Sequence, residues 1–587
     1  MRQEERAGGS YGGRLVAELL RAQGVAWLFG LSGGHISPIM VEAKRLGIRV
    51  IDTRHEATAV FAADAVSRLT GRPGVALVTA GPGVTNTITA IKNAQLAESP
   101  LVLIGGATAT VLRGRGSLQD IDQMALVGPH VKWTARPDKV REILPALETA
   151  FLQARTGVPG PVFVELAVDL LYPEEMVREW YLGKLREPKG LGQKMTVLFL
   201  RGHLDRVFSG PVTDIVPSLS PERPALDPSL VARAKAMLAG ARRPVLLVGS
   251  QAMLHPERVP TLVSAVETLA IPTWLSGMAR GLLGAGHPLH RRHKRRAALK
   301  EADLVILAGV PCDFRLDYGR HIGRRARVIS VNRDPVAVSK NRPPQLAVVG
   351  DAADFLVALA GLWEMRGPAF LSWEGWARRL AQRDQERNEE IQEMASRRIE
   401  PINPLDLLSQ LDGLLDEQSV LVGDGGDFVA TASYVAQPRS PLHWLDPGVF
   451  GTLGVGAGFA LGARLVYPES DVWILYGDGA AGYSLMEMDT FARHGLGLVA
   501  IVGNDRGWTQ IRRDQVEVLG DSVGTDLGDA SYAGVGQALG GRGWTLSRPE
   551  DIGEILVQAR EAARQGLPVV VDARIGQTDF RKGSISM

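Results

Sequence analysis

Two carboxylates stand at the ends of neighbouring apolar runs in residues 471–505 of this 587-residue chain. The first run, VWILYG, breaks at Gly477-Asp478-Gly479, and the second, LVAIVG, ends at Asn504-Asp505. Read as strands of one parallel sheet joined by the helix-like SLMEMDTFARHG, they leave Asp478 and Asp505 at the same sheet edge. Such a pair makes an oxygen site that suits Mg²⁺. The small residues after Asp478, Gly479 and Ala480, let a diphosphate approach the amides of the following helix. GDG is also common as a plain turn between buried strands, and this stretch alone leaves that reading open.

Two further runs lie near the N-terminus. Arg54-His55-Glu56 ends one strand-like run and opens a helix, and Gly81-Pro82-Gly83-Val84-Thr85-Asn86 does the same one strand later. A carboxylate near an apolar sheet edge can have its pKa raised by desolvation and share a proton. A glutamate opening a helix is equally favoured by the helix dipole.

Positioning such groups takes strand–turn–helix repeats, and the sequence predicts three sets. Residues 10–178 alternate helix and strand: GGRLVAELLRAQG, WLFGL, RVIDTRHE, ATAVFAADAVSRLTG, GVALVTA and PLVLIGGA. Residues 228–365 do so again through PVLLVGS, ADLVILAG and RVISVNRDP, and residues 403–576 a third time. The predicted class is α/β, with three doubly wound parallel-sheet domains and no tandem repeat in the residues themselves. Residues 179–227 form a linker in which MTVLFLRGHLDRVFSG has apolar positions at helical spacing. That segment reads as a helix packing on the domains, or one docking on a membrane surface or a partner. Residues 366–402 read as a charged linker helix with a solvated face, and 577–587 as a basic tail.

Composition narrows the class. A formal net charge of +2 lacks the strong basic field that nucleic-acid binding wants. The single cysteine, Cys312, excludes an intramolecular disulfide and fits a reducing compartment. The start MRQEERAGGS has no signal-peptide core and no apolar run reaches membrane-spanning length, so the expected location is the cytoplasm and no transmembrane segment is expected.

Taken together, GGHISP, DTRHE, GPGVTNT, FGTLGVGAGFALGA, GYSLME and GNDRGWTQI resemble the thiamine-diphosphate-dependent enzymes over nearly the whole chain. Among them the chain resembles the acetolactate-synthase-like 2-hydroxyacyl-CoA lyases. The resemblance implies a pyrimidine-binding, a central nucleotide-binding-like and a diphosphate-binding domain, with thiamine diphosphate and Mg²⁺ as cofactors. It implies that Asp478, Asp505 and the carbonyl of Gly507 hold the metal. The family usually has Asn-Asn where this chain has Asn504-Asp505, a change a hard cation tolerates. It places Asn86, Gly426, Asp427, Phe428, Gly451, Leu453, Gly477, Gly479, Ala480 and Trp508 around the cofactor, with Leu453 as an apolar wedge.

Glu56 is implied as the activator of cofactor held by another subunit, which makes a homodimer the minimum and a homotetramer the expected form. On the substrate side, His35 replaces a small residue of the synthases' active-site loop and suits proton transfer from a hydroxyl. Its other reading is a loop histidine facing solvent. Gln119 matches the family's active-site glutamine, although the synthases carry Phe before it and this chain has Leu118. Asp120, Asp122 and Gln123 read instead as helix-start polar groups. Arg280, Asn332 and Arg333 stand where relatives bind FAD or ADP, and could serve the nucleotide of CoA. The tail either folds over the substrate or is a loose terminus. The expected reaction is cleavage of a 2-hydroxyacyl-CoA to an aldehyde or ketone plus formyl-CoA, or the reverse acyloin condensation. The alternatives are acetolactate-type condensation of 2-oxo acids and, from another class, a non-catalytic nucleotide-binding or scaffold subunit.

Overall fold

The computed structural model describes residues 11–185, 187–216, 221, 225–363 and 373–582. They carry three parallel sheets, of six, five and six strands. The chain forms two compact units, one built on the N-terminal sheet and one on the two later sheets.

The first sheet runs, in spatial order, Arg49–Asp52, Trp27–Gly30, Gly74–Val78, Leu101–Ala107, Pro161–Ala167 and Trp133–Ala135. The third runs Trp444–Leu445, Ser419–Asp424, Asp471–Gly477, Leu498–Asn504, Pro568–Arg574 and Arg542–Leu546. Both follow one plan: second strand, first, third, fourth, sixth, fifth. The order therefore reverses between the first and third strands of each sheet, and the loops leaving those two strands diverge. A crevice at that reversal is where doubly wound sheets bind ligands. The middle sheet orders Leu346–Val349, Arg327–Asn332, Leu304–Ala308, Pro244–Val248 and Thr273–Leu275.

Helices on both faces explain the composition of these strands. Leu101–Ala107, Pro161–Ala167, Asp471–Gly477 and Leu498–Asn504 are buried along their whole length, so they read as continuous apolar runs. In the first core, Leu15, Val16, Leu19 and Leu20 of the helix Gly12–Ala22 meet Val102, Ile104, Val162 and Val164 of the sheet. In the last, Ile552, Leu556 and Ala559 of the helix Ile552–Arg564 cover Val499, Ile501, Val569 and Val571.

The segments outside the sheets depart from expectation in part. A helix spans Gly190–Val207; Val197, Leu204 and Val207 are buried, whereas Leu198 and Phe199 are exposed. The charged helix Glu374–Ala395 is not merely a solvated face: Trp376, Leu380, Ile391 and Ala395 are buried, and Trp376 Nε1 donates to the Pro244 carbonyl at 3.1 Å. A few apolar residues one helical face apart suffice to dock a helix whose other positions are charged. In the tail, Phe580 sets its ring edge on Tyr434 at 5.7 Å, while 583–587 lie outside the described residues. Among the described residues no helix is long and apolar enough to cross a membrane.

Candidate active site

In the third sheet, Gly425 follows the strand Ser419–Asp424 and Gly477 closes the strand Asp471–Gly477, the two strands that flank the reversal. The Gly477 N–H donates to the Gly425 carbonyl at 3.3 Å, which holds the two strand ends together. Gly426 has φ 103°, a conformation that L side chains avoid, and it turns the chain directly into the helix Asp427–Val435. The next strand over, Leu498–Asn504, brings Asp505 to the same edge.

A cavity of about 300 Å³ opens there. Gly426, Asp427, Phe428, Gly451, Leu453, Gly477, Asp478, Gly479, Ala480, Asp505, Gly507 and Trp508 all line it. The structure thus gathers around one cavity every residue of this domain for which the resemblance implied a cofactor role. A Cβ on Gly479 would sit 2.5 Å from the Trp508 ring, so only glycine leaves that indole its place against the turn.

Within the cavity the two carboxylates differ in their partners. Asp478 Oδ1 accepts the Gly479 N–H at 2.8 Å and Oδ2 accepts the Gly507 N–H at 3.0 Å. Burial raises its pKa nonetheless. Asp505 is pushed up to about 6, mainly by burial and further by the charges of Asp478 and Asp427. Asp427 pairs with Arg513 at 2.8 Å, and its Oδ1 is buried without a hydrogen-bond partner. Buried carboxylates crowded without enough cationic charge are what a divalent ion relieves. Among the described residues no three His, Cys, Asp or Glu side chains cluster as a metal site, so a metal here would take two carboxylates and main-chain oxygen.

The pair Asn504-Asp505 divides its labour by strand alternation. Asn504 turns inward and donates to Asp572 Oδ1 at 2.8 Å, while Asp505 lines the cavity. Asp572, fully buried, also accepts the Tyr532 N–H at 3.2 Å and pairs with Arg574 at 3.2 Å. Tyr532 in turn donates its hydroxyl to the Asp478 carbonyl at 3.1 Å.

Sequence reasoning missed Asp424. It is fully buried, its two oxygens accept the N–H groups of Gly454 and Gly456 at 2.9 and 2.8 Å, and burial raises it to about 7. It thereby holds the loop that carries Leu453. A Cβ on Gly425 would meet Leu453 Cδ2 at 2.0 Å, so the leucine lies directly over the glycine turn. The signal was present in SVLVGDGG, where a carboxylate sits inside an apolar strand.

In the first sheet the same edge collects the N-terminal residues. Glu56 opens the helix Glu56–Thr70, is buried, and accepts the Asn86 side-chain amide on Oε2 at 3.0 Å. His35 and Thr79 leave the first and third strands and meet across the reversal, Nδ1 to Oγ1 at 3.1 Å. Burial lowers the His35 pKa. Gln119 has φ 63° and sits against Gly81, where an added Cβ would lie 2.8 Å from its carbonyl oxygen. It lines a cavity of about 310 Å³ with Arg113, Gln123, Arg136 and Glu165.

Asp122 caps the Ala125 N–H at 3.1 Å and serves the helix start, as its position suggested. Gln123 does not. It is buried, accepts the Gly81 N–H at 2.8 Å, and donates to the Gly106 carbonyl at 3.1 Å and to Glu165 at 2.9 Å. Its partners come from three other elements, which local sequence cannot reveal.

The central residues fall into two networks. Asn332 accepts from Gln251 at 2.8 Å, and Arg333 is ion-paired with Asp351 at 2.6 Å and meets His255 Nε2 at 2.6 Å. The Arg333 charge is already met from within the domain. Arg280 instead donates to the Ser433 carbonyl at 3.0 Å and lies 5.0 Å over the Trp444 ring.

Comparison with known families gives the arrangement its context. Residues 11–126 match "Thiamine pyrophosphate enzyme, N-terminal TPP binding domain", residues 231–359 the central domain and residues 424–573 the C-terminal TPP binding domain of the same enzymes. The chain belongs to the thiamine pyrophosphate enzymes. This thiamine pyrophosphate enzyme is 50% identical to 2-hydroxyacyl-CoA lyase 2 of Bos taurus, over 100% of this chain and 93% of the relative. It is 47% identical to 2-hydroxyacyl-CoA lyase 2 of Homo sapiens, over 99% and 93%. A probable acetolactate synthase of Mycobacterium bovis is 35% identical over 96% and 95%. The three matched regions each enclose one of the three sheets, apart from the strands Trp133–Ala135 and Pro161–Ala167, residues Ser419–Gly423 of the strand Ser419–Asp424, and the last residue, Arg574, of the strand Pro568–Arg574.

Proposed function

We propose that this thiamine-diphosphate-dependent lyase cleaves a 2-hydroxyacyl-CoA to an aldehyde or ketone and formyl-CoA, and runs the reverse acyloin condensation. The observation that carries the substrate is full-length identity of 47–50% to the 2-hydroxyacyl-CoA lyases 2, against 35% to the synthase. A non-catalytic scaffold would have no use for the Glu56–Asn86 bond or for carboxylates buried at a cavity edge.

Asp478, Asp505 and the Gly507 carbonyl would hold Mg²⁺, and the glycine-lined cavity around them the diphosphate. Bound there, thiamine diphosphate supplies the electron sink that cleavage beside a carbonyl requires. Glu56, oriented by Asn86, holds the proton on which cofactor activation turns. A homodimer is then the minimum form, with Glu56 serving cofactor held by the partner subunit, and a homotetramer is the fuller expectation. A cytoplasmic location belongs to the same proposal, supported by the single, buried cysteine.

On the substrate, the bond between the thioester carbon and the hydroxyl-bearing carbon breaks. Thr79 engages Nδ1 of His35, which leaves Nε2 to take the hydroxyl proton as that oxygen becomes the aldehyde carbonyl. One proton returns to the thioester carbon, giving formyl-CoA, so the reaction needs no further reactant. Gln119 stands on the substrate side with a polar side chain for the thioester or hydroxyl oxygen.

The test supplies thiamine diphosphate, Mg²⁺ and either a 2-hydroxyacyl-CoA or pyruvate, and identifies the products. Aldehyde with formyl-CoA is expected. Acetolactate with no acyl-CoA turnover would replace the lyase reading with the synthase one and leave the cofactor chemistry standing.

A further inference from the structure

One buried amide lies beneath the reacting residues of the N-terminal domain. Gln123 is 2% exposed and opens the helix Gln123–Val127. Its Oε1 accepts the Gly81 N–H at 2.8 Å, and its Nε2 donates to the Gly106 carbonyl at 3.1 Å and to Glu165 Oε2 at 2.9 Å. A glutamine amide has two N–H donors and one carbonyl oxygen, so both donors and the acceptor are engaged. Together the three partners leave the amide one orientation.

Two of those partners lead to functional residues. A Cβ on Gly106 would lie 2.7 Å from His35 Cβ, so His35 rests directly on the main chain that Gln123 holds. A Cβ on Gly81 would lie 2.9 Å from Gln119 Cβ, so Gln119 rests on the other. The Gly81 carbonyl also accepts the N–H groups of Val84 and Thr85, both at 3.0 Å, and so starts the helix Pro82–Thr85. Asn86 caps the end of that helix and carries the amide that donates to Glu56.

The third partner secures the amide itself. Glu165 is 3% exposed, and the guanidiniums of Arg113 and Arg136 stand 3.8 and 3.9 Å from its Oε1. Arg113 is held in turn by Asp138 at 3.1 Å. A buried polar network with every member satisfied is rigid, and loosening one member loosens the rest.

We propose that Gln123 is a positioning residue that keeps His35, Gln119 and the Asn86–Glu56 pair in one register, with Glu165 fixing its amide. It acts through the main chain of two glycines, where the absence of a side chain lets His35 and Gln119 sit close. The proposal rests on the reading of His35, Gln119 and Glu56 as the reacting side. A misplacement of about 1 Å at such groups costs on the order of 10²-fold in rate.

The experiment uses the full chain loaded with thiamine diphosphate and Mg²⁺, at a temperature where each variant is folded by its melting curve. Gln123→Met keeps length and removes all three hydrogen bonds. Its kcat should fall by about 10²-fold with KM nearly unchanged, and exchange of the cofactor C2 proton, followed by NMR without substrate, should slow by at least about tenfold. Gln123→Glu sets two carboxylates face to face. Adding Glu165→Gln restores a donor between the two positions and leaves an acceptor for the Gly81 N–H, so C2 exchange should recover in the double variant. Turnover should recover less, because the Gly106 carbonyl under His35 stays unpaired. Wild-type exchange in a folded Gln123→Met, or a double variant no faster than Gln123→Glu alone, overturns the proposal. If Gln123→Met fails to fold, the exchanged pair decides. C2 exchange needs no substrate, so failure of the lyase reading would show in the products and leave this result standing.

Discussion

The main-chain N–H of Gly507 donates to Oδ2 of Asp478 at 3.0 Å, across two strands of the C-terminal sheet. That bond fixes the Arg506–Gly507 peptide against the first carboxylate, and the Trp508 N–H, donating to the Thr525 carbonyl at 2.8 Å, orients the peptide that carries the Gly507 carbonyl. The Asp478 bond also sets Asp505, two residues before Gly507, over the same cavity. A metal bound here would meet two carboxylates whose positions are decided by backbone rather than by flexible side chains.

Removing one of those carboxylates should show first in the metal. Asp505→Ala should raise the Mg²⁺ concentration for half-maximal activity by at least the ~10-fold that losing even an outer-shell partner costs, and Asp505→Asn should change it little. Circular dichroism of both should match the parent. Full activity of the alanine variant at limiting Mg²⁺ would take Asp505 out of the site.

Glu56 and Asn86 should separate by degree. Glu56→Gln keeps size and hydrogen bonding but cannot share a proton, so turnover should fall at least ~10²-fold while calorimetry still shows cofactor binding. Asn86→Ala leaves the acid present and only loosens it, so a smaller loss is expected, of about tenfold. Equal losses in the two would mean that the amide does more than orient Glu56.

The loop bearing Leu453 should depend on a residue that does not line the cofactor cavity. In Asp424→Asn one oxygen becomes an NH₂ facing an N–H, so one of the Gly454 and Gly456 bonds is lost. Cofactor affinity should drop while the metal requirement at saturating cofactor stays as it was. The wild-type carboxyl, raised to about 7 by burial, holds its proton better folded than unfolded. Its contribution to stability is therefore present in acid and lost as pH rises towards 7. Melting temperatures across that range should show this slope in the wild type and not in Asp424→Asn.

His35 gives the opposite sign. Burial lowers its pKa, so the neutral, proton-accepting ring persists below the usual histidine value of 6.5. The acid limb of the kcat profile should lie below 6.5 and disappear in His35→Ala, which should lower kcat more than it changes KM. Stability carried by the neutral ring should be lost as the pH falls through that range. An acid limb unmoved in His35→Ala assigns it to another group.

Much of this was legible in the residues. Buried parallel strands read as VWILYG and LVAIVG because both faces are covered, and glycine-acid turns at their ends mark the cavity. The shared strand order of the first and third sheets was not legible, because it resides in hydrogen bonding between strands far apart in sequence and leaves no repeated residues. Gln123 looked like a helix-start residue and proved to tie Gly81, Gly106 and Glu165 together. Arg333 read as a partner for a ligand's phosphate, whereas Asp351, from a separate element, pairs with it at 2.6 Å. The charged helix Glu374–Ala395 hid its buried face because four apolar positions were diluted among charges.

The lyase reaction breaks the bond between the thioester and hydroxyl carbons of an acyl-CoA. A 2-hydroxyacyl-CoA labelled with ¹³C at the thioester carbon, incubated with the loaded enzyme, tests it directly. The label is expected in formyl-CoA, with an unlabelled aldehyde one carbon shorter formed in equal amount. Label retained in unreacted thioester while pyruvate is turned into acetolactate would contradict it.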